Sequence, residues 1–239
     1  MNPLIKQIYA SGVVEDASGA ALPIRPISIS HASGLLLYDL VRTFTPQRTL
    51  ETGMAYGMSA LFICQALQDN GSGLHTAIDP NERGCFRSIG LLNLERAGLK
   101  DRVRFFPLSS AEALPRLFME KERLDFAYLD GKHLMDWVLM EFFFIDKMLE
   151  PGGHIAFDDL WLPAVRKAVS FILKNLPYRL EQPPLRRPVP LGNRIGRLGR
   201  RVLQNPFARD WKLKLLPDKI VILKKVAEDK RRWDFHRAF

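Results

Sequence analysis

Short apolar runs bounded by turn residues alternate along this chain with longer segments of helical period. This alternation is typical of βα units, in which mostly parallel strands form one sheet and helices cover it. It predicts an α/β domain with strands at residues 49–51, 75–79, 103–106, 125–130, 154–158, 178–181 and 220–224. It also predicts helices at residues 33–44, 59–67, 82–97, 111–119, 134–149 and 164–173, with a turn at the Glu-Pro-Gly-Gly run. At 239 residues, the chain is expected to form a single domain with extensions.

Two segments do not follow the alternation. Residues 1–45 precede the first strand and are predicted to form an N-terminal helical cap segment. Residues 183–218 lie between the last two strands, are rich in Pro, Gly and Arg, and are predicted to form a basic insertion. The net charge of the chain is +9, and this insertion concentrates positive charge in Arg186, Arg187, Arg194, Arg197, Arg200, Arg201 and Arg209. A solvated basic lid is the simpler interpretation, and a surface for anionic partners is the alternative.

The composition limits the class of protein. With 47% hydrophobic and 26% charged residues, the chain is expected to be globular. No apolar run approaches the ~20 residues that cross a bilayer, and the first residues lack the pattern of a secretory signal. We therefore expect no membrane span and a cytoplasmic location. Cys64 and Cys85 lack the spacing of a metal site and are expected to be reduced packing residues.

The most specific motif is a glycine-containing turn between the first strand and the next helix, Thr49-Leu-Glu-Thr-Gly-Met-Ala-Tyr-Gly-Met-Ser59. Gly53 and Gly57 are expected to let a ligand approach the backbone, and the start of the helix offers free amides. A dinucleotide site would have the spacing G-x-G-x-x-G, whereas the spacing here is G-x-x-x-G. Glu51 precedes the turn and would repel a pyrophosphate but attract an ammonium or sulfonium group. The turn therefore favours a cationic cofactor.

The second strand ends in Asp79-Pro80, about one βα unit after the glycines. A carboxylate at that point can accept hydrogen bonds from both hydroxyls of a ribose. Turn initiation would explain Asp-Pro equally well. The register of the two motifs strengthens the cofactor interpretation.

Six motifs in order carry a family resemblance: LETGMAYGMSA, HTAIDPN, AGLKDRVRFF, SSAEALPRL, LDFAYLDGKH and LEPGGHIAFDD. They resemble the successive motifs of class I methyltransferases that use S-adenosylmethionine, over roughly residues 28–169. Within that superfamily the chain is most similar to the branch with catechol, caffeoyl-CoA and macrocin O-methyltransferases. The resemblance implies a Rossmann-like, seven-stranded, mostly parallel sheet of order 3-2-1-4-5-7-6, with strand 7 antiparallel and helices on both faces.

The resemblance also implies which residues bind S-adenosylmethionine. Within the glycine turn, Thr52, Met54 and Met58 depart from the family's pattern, so their contacts with the cofactor are expected to differ. The full assignment is Glu51, Thr52, Gly53 and Ser59 for the methionine part, Asp79 for the ribose, Ser109 and Ser110 for the loop beside the adenine, and Asp130 for the amino acid end.

Three carboxylates are expected to share the crevice at the carboxyl ends of the fourth and fifth strands: Asp130, Asp158 and Asp159. Such a group is costly unless a cation or protons compensate it. In the catechol branch the matching positions hold magnesium, and oxygen ligands suit Mg²⁺, which would lower the pKa of a bound hydroxyl. The alternative is that Asp158 and Asp159 cap the turn before Pro163. Magnesium is therefore a candidate second cofactor.

His133 is the candidate general base, with Asp130 as the second catalytic residue. It lies three residues after Asp130, where the catechol enzymes have a catalytic lysine, and imidazole titrates near neutral pH. This departure fits a metal-free base, a metal ligand or substrate positioning. Lys132 is the alternative base, and His31, before the first helix, is expected to be structural.

These observations predict an S-adenosylmethionine-dependent methyltransferase that methylates a hydroxyl group of a small molecule by in-line transfer. His133, a divalent metal or both would activate the acceptor. Two alternatives stay open: methylation of RNA or of a phosphorylated acceptor through the arginine-rich segment, and a cofactor-binding module without catalysis. Nucleic acid is the less favoured partner because aromatic residues are hardly interleaved among these arginines. A homodimer is expected by analogy with family members.

Overall fold

The structure is a computed structural model, and it describes residues 1–181, 213 and 219–239. Its helices are α1 (Pro3–Ser11), α2 (His31–Phe44), α3 (Met58–Asn70), α4 (Ile89–Arg96), α5 (Ser110–Met119), α6 (Met135–Met148) and α7 (Pro163–Asn175). Its strands are β1 (Val13–Glu15), β2 (Ala21–Pro23), β3 (Arg48–Thr52), β4 (Leu74–Ile78), β5 (Val103–Phe106), β6 (Leu124–Leu129), β7 (Leu149–Phe157), β8 (Tyr178–Glu181) and β9 (Val221–Lys225). A short 3₁₀ turn at Lys100–Arg102 precedes β5.

Strands β3 to β9 form one sheet in the order β5-β4-β3-β6-β7-β9-β8. Strands β3 to β7 are parallel, and β9 runs antiparallel to both β7 and β8. Counted within this sheet alone, the order is 3-2-1-4-5-7-6, so the predicted Rossmann-like sheet with strand 7 antiparallel is confirmed. The winding direction reverses between β3 and β6, which leaves a crevice at their carboxyl ends.

Helices cover both faces of the sheet, so its inner strands are apolar on both sides. Along β6, Phe126 and Tyr128 belong to the core shared with α2 and α3, whereas Ala127 and Leu129 belong to the core shared with α5, α6 and α7. All four side chains are buried. Because β3 to β7 are parallel, the loops that follow them meet at one edge of the sheet.

The N-terminal segment contains more than the predicted helix. Helices α1 and α2 flank a β-hairpin of β1 and β2, which the sequence pattern did not predict. The side-chain amide of Asn2 donates to the carbonyl of Ala97 and to Gln65 Oε1, and Tyr9 donates to the carbonyl of Ile29. The Asn2 bonds anchor the segment to α3 and to the end of α4.

Two predicted boundaries differ from the structure by more than three residues. The helix expected at residues 82–97 forms only at Ile89–Arg96, because Arg87 and Ser88 have positive φ angles that an α-helix does not adopt. The expected turn at Glu-Pro-Gly-Gly lies inside β7, which begins at Leu149. Gly152 has a φ of 95°, and the pairing of β7 with β6 shifts register in this region. An irregular strand therefore replaces the predicted turn.

The predicted basic insertion at residues 183–218 lies outside the described residues, apart from the buried Leu213. The division into a cap segment, a domain and an insertion stays a prediction. None of the helices that the structure describes combines the length and the apolarity needed to cross a membrane.

Candidate active site

A cavity of about 440 Å³ opens at the carboxyl ends of the parallel strands. The loops after these strands form most of its wall, and the segment before α2, with Pro26 and Ile29, borders one side. The predicted site residues that line it are Thr52, Gly53, Ser59, Asp79, Ser109, Ser110, Asp130, His133, Asp158 and Asp159. The fold therefore brings together residues from five separate loops.

The glycine turn is shaped by the backbone that surrounds it. Gly53 has a φ of 86° and Gly57 a φ of 73°, both in the left-handed region that favours glycine. A β-carbon on Gly53 would collide with the carbonyl of Asp130, and one on Gly57 would lie 2.8 Å from the Cα of Gly90. The glycines thus permit close packing of neighbouring loops, besides the ligand approach that the sequence predicts.

Asp79 holds the same turn from the end of β4. Its Oδ2 accepts hydrogen bonds from the backbone amides of Met54 at 2.9 Å and Ala55 at 2.8 Å, and its Oδ1 accepts one from Asn81 at 2.8 Å. The side chain also lines the cavity, and Oδ1 keeps a free lone pair. Asp79 can therefore hold the turn and accept a hydrogen bond from a hydroxyl at the same time.

Glu51 departs from its predicted position. It is fully buried in β3, and the described residues that line the cavity do not include it. Its Oε1 lies 3.4 Å from Nε2 of His75 on the neighbouring strand β4. Side chains alternate across a strand, so Thr52, one residue later, lines the cavity instead. Neither of its carboxylate oxygens has a hydrogen-bond partner among the described residues, and its assignment to the cofactor stays a prediction.

Glu141 of α6 is a cavity residue that the sequence pattern did not mark. It is 1% exposed and accepts hydrogen bonds from Ser110 Oγ at 2.7 Å and Thr52 Oγ1 at 3.2 Å. Burial raises its pKa to about 7. Trp137 Nε1 donates to the same Ser110 Oγ at 2.9 Å. Its place directly before the apolar Phe142–Phe144 run was the signal that could have identified it.

His133 lies in the cavity wall between two carboxylates. Its Nε2 is 3.0 Å from Oδ2 of Asp159 and 3.6 Å from Oδ1 of Asp130, and its side chain is 26% exposed. Tyr128 donates to Oδ2 of Asp130 at 3.2 Å. Burial and the nearby Asp158 carboxylate raise the pKa of Asp130 well above its usual range. The imidazole is thus positioned mainly by Asp159 and remains open to the cavity.

Lys219 also lines the cavity, although no motif marked it. Its Nζ lies 3.0 Å from Oδ2 of Asp158 and 2.7 Å from Oδ1 of Asp159. Burial lowers the pKa of Lys219, but its bonds to these carboxylates outweigh burial and raise that pKa above its usual value. Burial alone would raise the pKa of Asp159, but hydrogen bonds, first from His133 and Lys219, hold it below its usual range.

Only two of the three predicted magnesium ligands belong to the candidate metal group found among the described residues. Asp158 faces Lys219, and the ligand atoms that come within 4.8 Å of one another belong to Asp130, His133 and Asp159. A divalent ion bound there would lie beside the Lys219 ammonium, which already contacts one oxygen of Asp159. Because like charges repel strongly at such distances, the residues present do not fit the predicted magnesium site.

The chain is similar in sequence to methyltransferases. A family model described as a methyltransferase domain matches residues 50–160. The caffeoyl-CoA O-methyltransferase of Populus kitakamiensis is 31% identical over 152 residues, which cover 60% of this chain and 60% of the relative. That of Stellaria longipes is 27% identical over 143 residues, which cover 58% of this chain and 57% of the relative. The chain thus matches about three fifths of the length of these curated relatives.

Solved structures share the fold. The O-methyltransferase from Bacillus cereus, in complex with SAH, has a TM-score of 0.60 at 21% identity, over 74% of this chain and 80% of that one. The O-methyltransferase TomG from Streptomyces achromogenes, in complex with SAM, has a TM-score of 0.60 at 18% identity, over 85% and 83%. The chain therefore shares the fold of these O-methyltransferases. Its predicted resemblance to the caffeoyl-CoA O-methyltransferase branch is confirmed by the curated relatives.

Proposed function

We propose that this protein transfers the methyl group of S-adenosylmethionine to a hydroxyl oxygen of a small molecule. The observation that carries the proposal is the position of His133, an imidazole just after β6 that lines the same cavity as the glycine turn. A base at this point can take the proton of an acceptor bound next to the cofactor. The names of the relatives, O-methyltransferases, favour oxygen as the acceptor atom.

In this proposal the cofactor lies along the edge of the sheet. Its methionine part is held by the glycine turn, its ribose by Asp79, and its adenine by the end of the cavity at Ser110 and Trp137. The supporting geometry is the hydrogen bond between these last two side chains, which fixes the indole in the cavity wall. This orientation brings the sulfonium methyl group close to Asp130 and His133.

The reaction is an in-line displacement. The acceptor oxygen forms a bond to the methyl carbon, the bond from that carbon to sulfur breaks, and its electron pair stays on sulfur as S-adenosylhomocysteine. Alignment of the two reactants in a closed site can account for ~7 to 11 kcal/mol of the barrier. The protein's contribution is therefore mainly positioning.

His133 takes the proton of the acceptor. Its Nε2–H donates to Asp159, which leaves Nδ1 as the ring nitrogen that can accept a proton. The Asp159 carboxylate then stabilises the imidazolium that forms. No step passes through a divalent ion, because the residues present do not fit one.

Calorimetry on purified protein with S-adenosylmethionine and with S-adenosylhomocysteine tests the cofactor half of the proposal. We expect both to bind and NAD not to bind. Heat for NAD with none for the two sulfur nucleosides would overturn the assignment.

Transfer of labelled methyl to a panel of phenols, catechols and aliphatic alcohols tests the catalytic half of the proposal. Binding of the cofactor without transfer to any of these acceptors would indicate a cofactor-binding module. A homodimer and a cytoplasmic location stay predictions.

A further inference from the structure

The two carboxylates after β7 already hold a cation that belongs to the chain. The Lys219 ammonium lies within 3.0 Å of Asp158 and 2.7 Å of Asp159. Asp158 is 1% exposed, so water cannot compensate its charge and a partner in the protein is needed. The Lys219 side chain is 43% exposed, so the ammonium reaches the buried carboxylate from the cavity side.

The position of this ammonium is built into the fold. Lys219 lies just before β9, the antiparallel neighbour of β7, and its carbonyl accepts a hydrogen bond from the amide of Leu160 at 3.0 Å. Leu160 directly follows Asp158 and Asp159 in the loop after β7. A single backbone contact thus holds the lysine opposite both carboxylates.

We propose that Lys219 takes the place that a divalent metal ion holds in the catechol branch, so that the protein binds no such ion at this cluster and needs none. A divalent ion would be repelled by the ammonium and would compete with it for Asp159. That no divalent ion binds follows from the geometry alone, whereas methyl transfer without a metal rests on the proposed function.

Lys219 acts on the reaction through Asp159, as a positioning residue. Oδ1 of Asp159 contacts Lys219 and accepts a hydrogen bond from Trp161 Nε1 at 2.9 Å, while Oδ2 contacts His133. Since Oδ1 is held from two sides, Oδ2 stays directed at the imidazole. A divalent ion in the cluster would instead draw these oxygens towards itself and away from His133.

The test is the binding of Mn²⁺, added alone to the metal-free protein and measured by electron paramagnetic resonance. We expect no stoichiometric binding to the wild-type chain. Lys219→Met keeps the length of the side chain but removes its charge, and we expect it to bind Mn²⁺ at least about tenfold more tightly than the wild type. Lys219→Arg keeps the charge, so we expect it to behave as the wild type does.

Lys132→Met is the matched control, because the Lys132 ammonium also lies at the cavity but sits 4.1 Å from the centroid of the Trp137 ring. It removes the same charge without a contact to the carboxylates and is expected to gain no metal site. Thermal unfolding verifies that each variant is folded. If Lys219→Met does not fold, combining it with Asp158→Asn removes the unpaired buried carboxylate and keeps Asp130, His133 and Asp159.

Stoichiometric binding of Mn²⁺ to the wild type would overturn the inference. A folded Lys219→Met variant that gains no affinity for Mn²⁺ would also overturn it. In the transfer assay, full activity after treatment with EDTA and no increase on addition of Mg²⁺ would support it. A loss that Mg²⁺ restores would overturn it. Because the Mn²⁺ measurement needs neither cofactor nor acceptor, its result is distinguishable from a failure of the proposed methyl transfer.

Discussion

Asp159 is held in a strained conformation that directs it at His133. Its φ is 50°, a left-handed value that aspartate tolerates better than most residues. Its Oδ1 contacts the Lys219 ammonium, and its Oδ2 contacts the imidazole. Strained backbone of this kind is retained where the surrounding contacts over-determine it, often at functional sites. The candidate base is therefore oriented by its neighbours and not by its own loop alone.

The substitution His133→Ala is expected to reduce methyl transfer about 100-fold or more, because the acceptor loses the group that takes its proton. Affinity for S-adenosylhomocysteine should change little, since the assigned cofactor residues stay in place. Calorimetry and turnover with the same acceptor measure the two effects. His236→Ala, in the C-terminal segment next to Phe239, is the control and should leave both unchanged. An unaltered rate in His133→Ala would remove this residue from the mechanism.

Glu141 should make the stability of the protein depend on pH. Its pKa is about 7 in the folded state against 4.5 for an ordinary glutamate, because burial disfavours the carboxylate. The folded state therefore keeps the proton when the unfolded state has lost it. Stability then falls as the pH rises from about 4.5 to about 7, by about 3 kcal/mol in all.

Glu141→Gln imitates the protonated carboxyl and should lose much less stability over that interval. Urea unfolding of both proteins at about pH 5 and about pH 8 measures the difference, which we expect to approach 3 kcal/mol. Contributions from the other titrating groups are shared and cancel in the comparison. Equal losses in the two proteins would show that Glu141 is ionised throughout.

At the scale of elements, the start of α3 depends on its contact with α4. The chain enters α3 through Gly57, whose left-handed φ turns the backbone, and this residue packs directly on Gly90. The next turns of α3 are buried between α2 and the sheet. The free amides at the helix start are therefore held at the cavity by packing as well as by the Asp79 bonds to the turn.

Gly57→Ala is expected to destabilise the protein by at least about 2 kcal/mol more than Gly71→Ala, because only the first places a β-carbon against neighbouring backbone. Both glycines adopt left-handed φ angles, so both substitutions carry the cost of about 1–2 kcal/mol for that conformation. A β-carbon on Gly71 would meet nothing within 4 Å. Denaturant unfolding of the two variants checks the difference. Equal effects would mean that the approach of Gly57 to Gly90 is not tight in solution.

At the scale of the molecule, the cavity joins the two halves of the core. Its wall includes the loops after β3 and β4, which lead into the helices α3 and α4 on one face of the sheet, and the loops after β6 and β7, which lead into α6 and α7 on the other. A ligand that contacts both sets of loops stabilises the folded chain as a whole and not a single element.

S-adenosylhomocysteine at about 100 times its dissociation constant should stabilise the protein by about 2.7 kcal/mol. For a chain of this size that corresponds to an increase in Tm of about 5–10 °C. Differential scanning fluorimetry with increasing ligand measures it, and NAD at equal concentration is the control. A Tm that does not move with S-adenosylhomocysteine, in protein free of carried-over ligand, would contradict the cofactor assignment.

The amino-acid sequence by itself determined the order of the elements from α2 onwards and the type of the sheet. Strand and helix periodicities and turn residues depend on near neighbours, and the motifs placed Gly53, Asp79 and His133 at strand ends, where the structure also has them. The predicted bounds of β5 and β8 agree with the structure for the same reason.

Only the tertiary structure decided what surrounds the candidate base. Lys219 forms a hydrogen bond with Asp158, which lies 61 positions away in the sequence, and Glu141 forms one with Thr52, which lies 89 positions away. It also decided that Glu51 lies beside His75 on the neighbouring strand. Such contacts follow from the register of paired strands and from how helices cross the sheet, which depend on the packing of the whole core and on no local pattern.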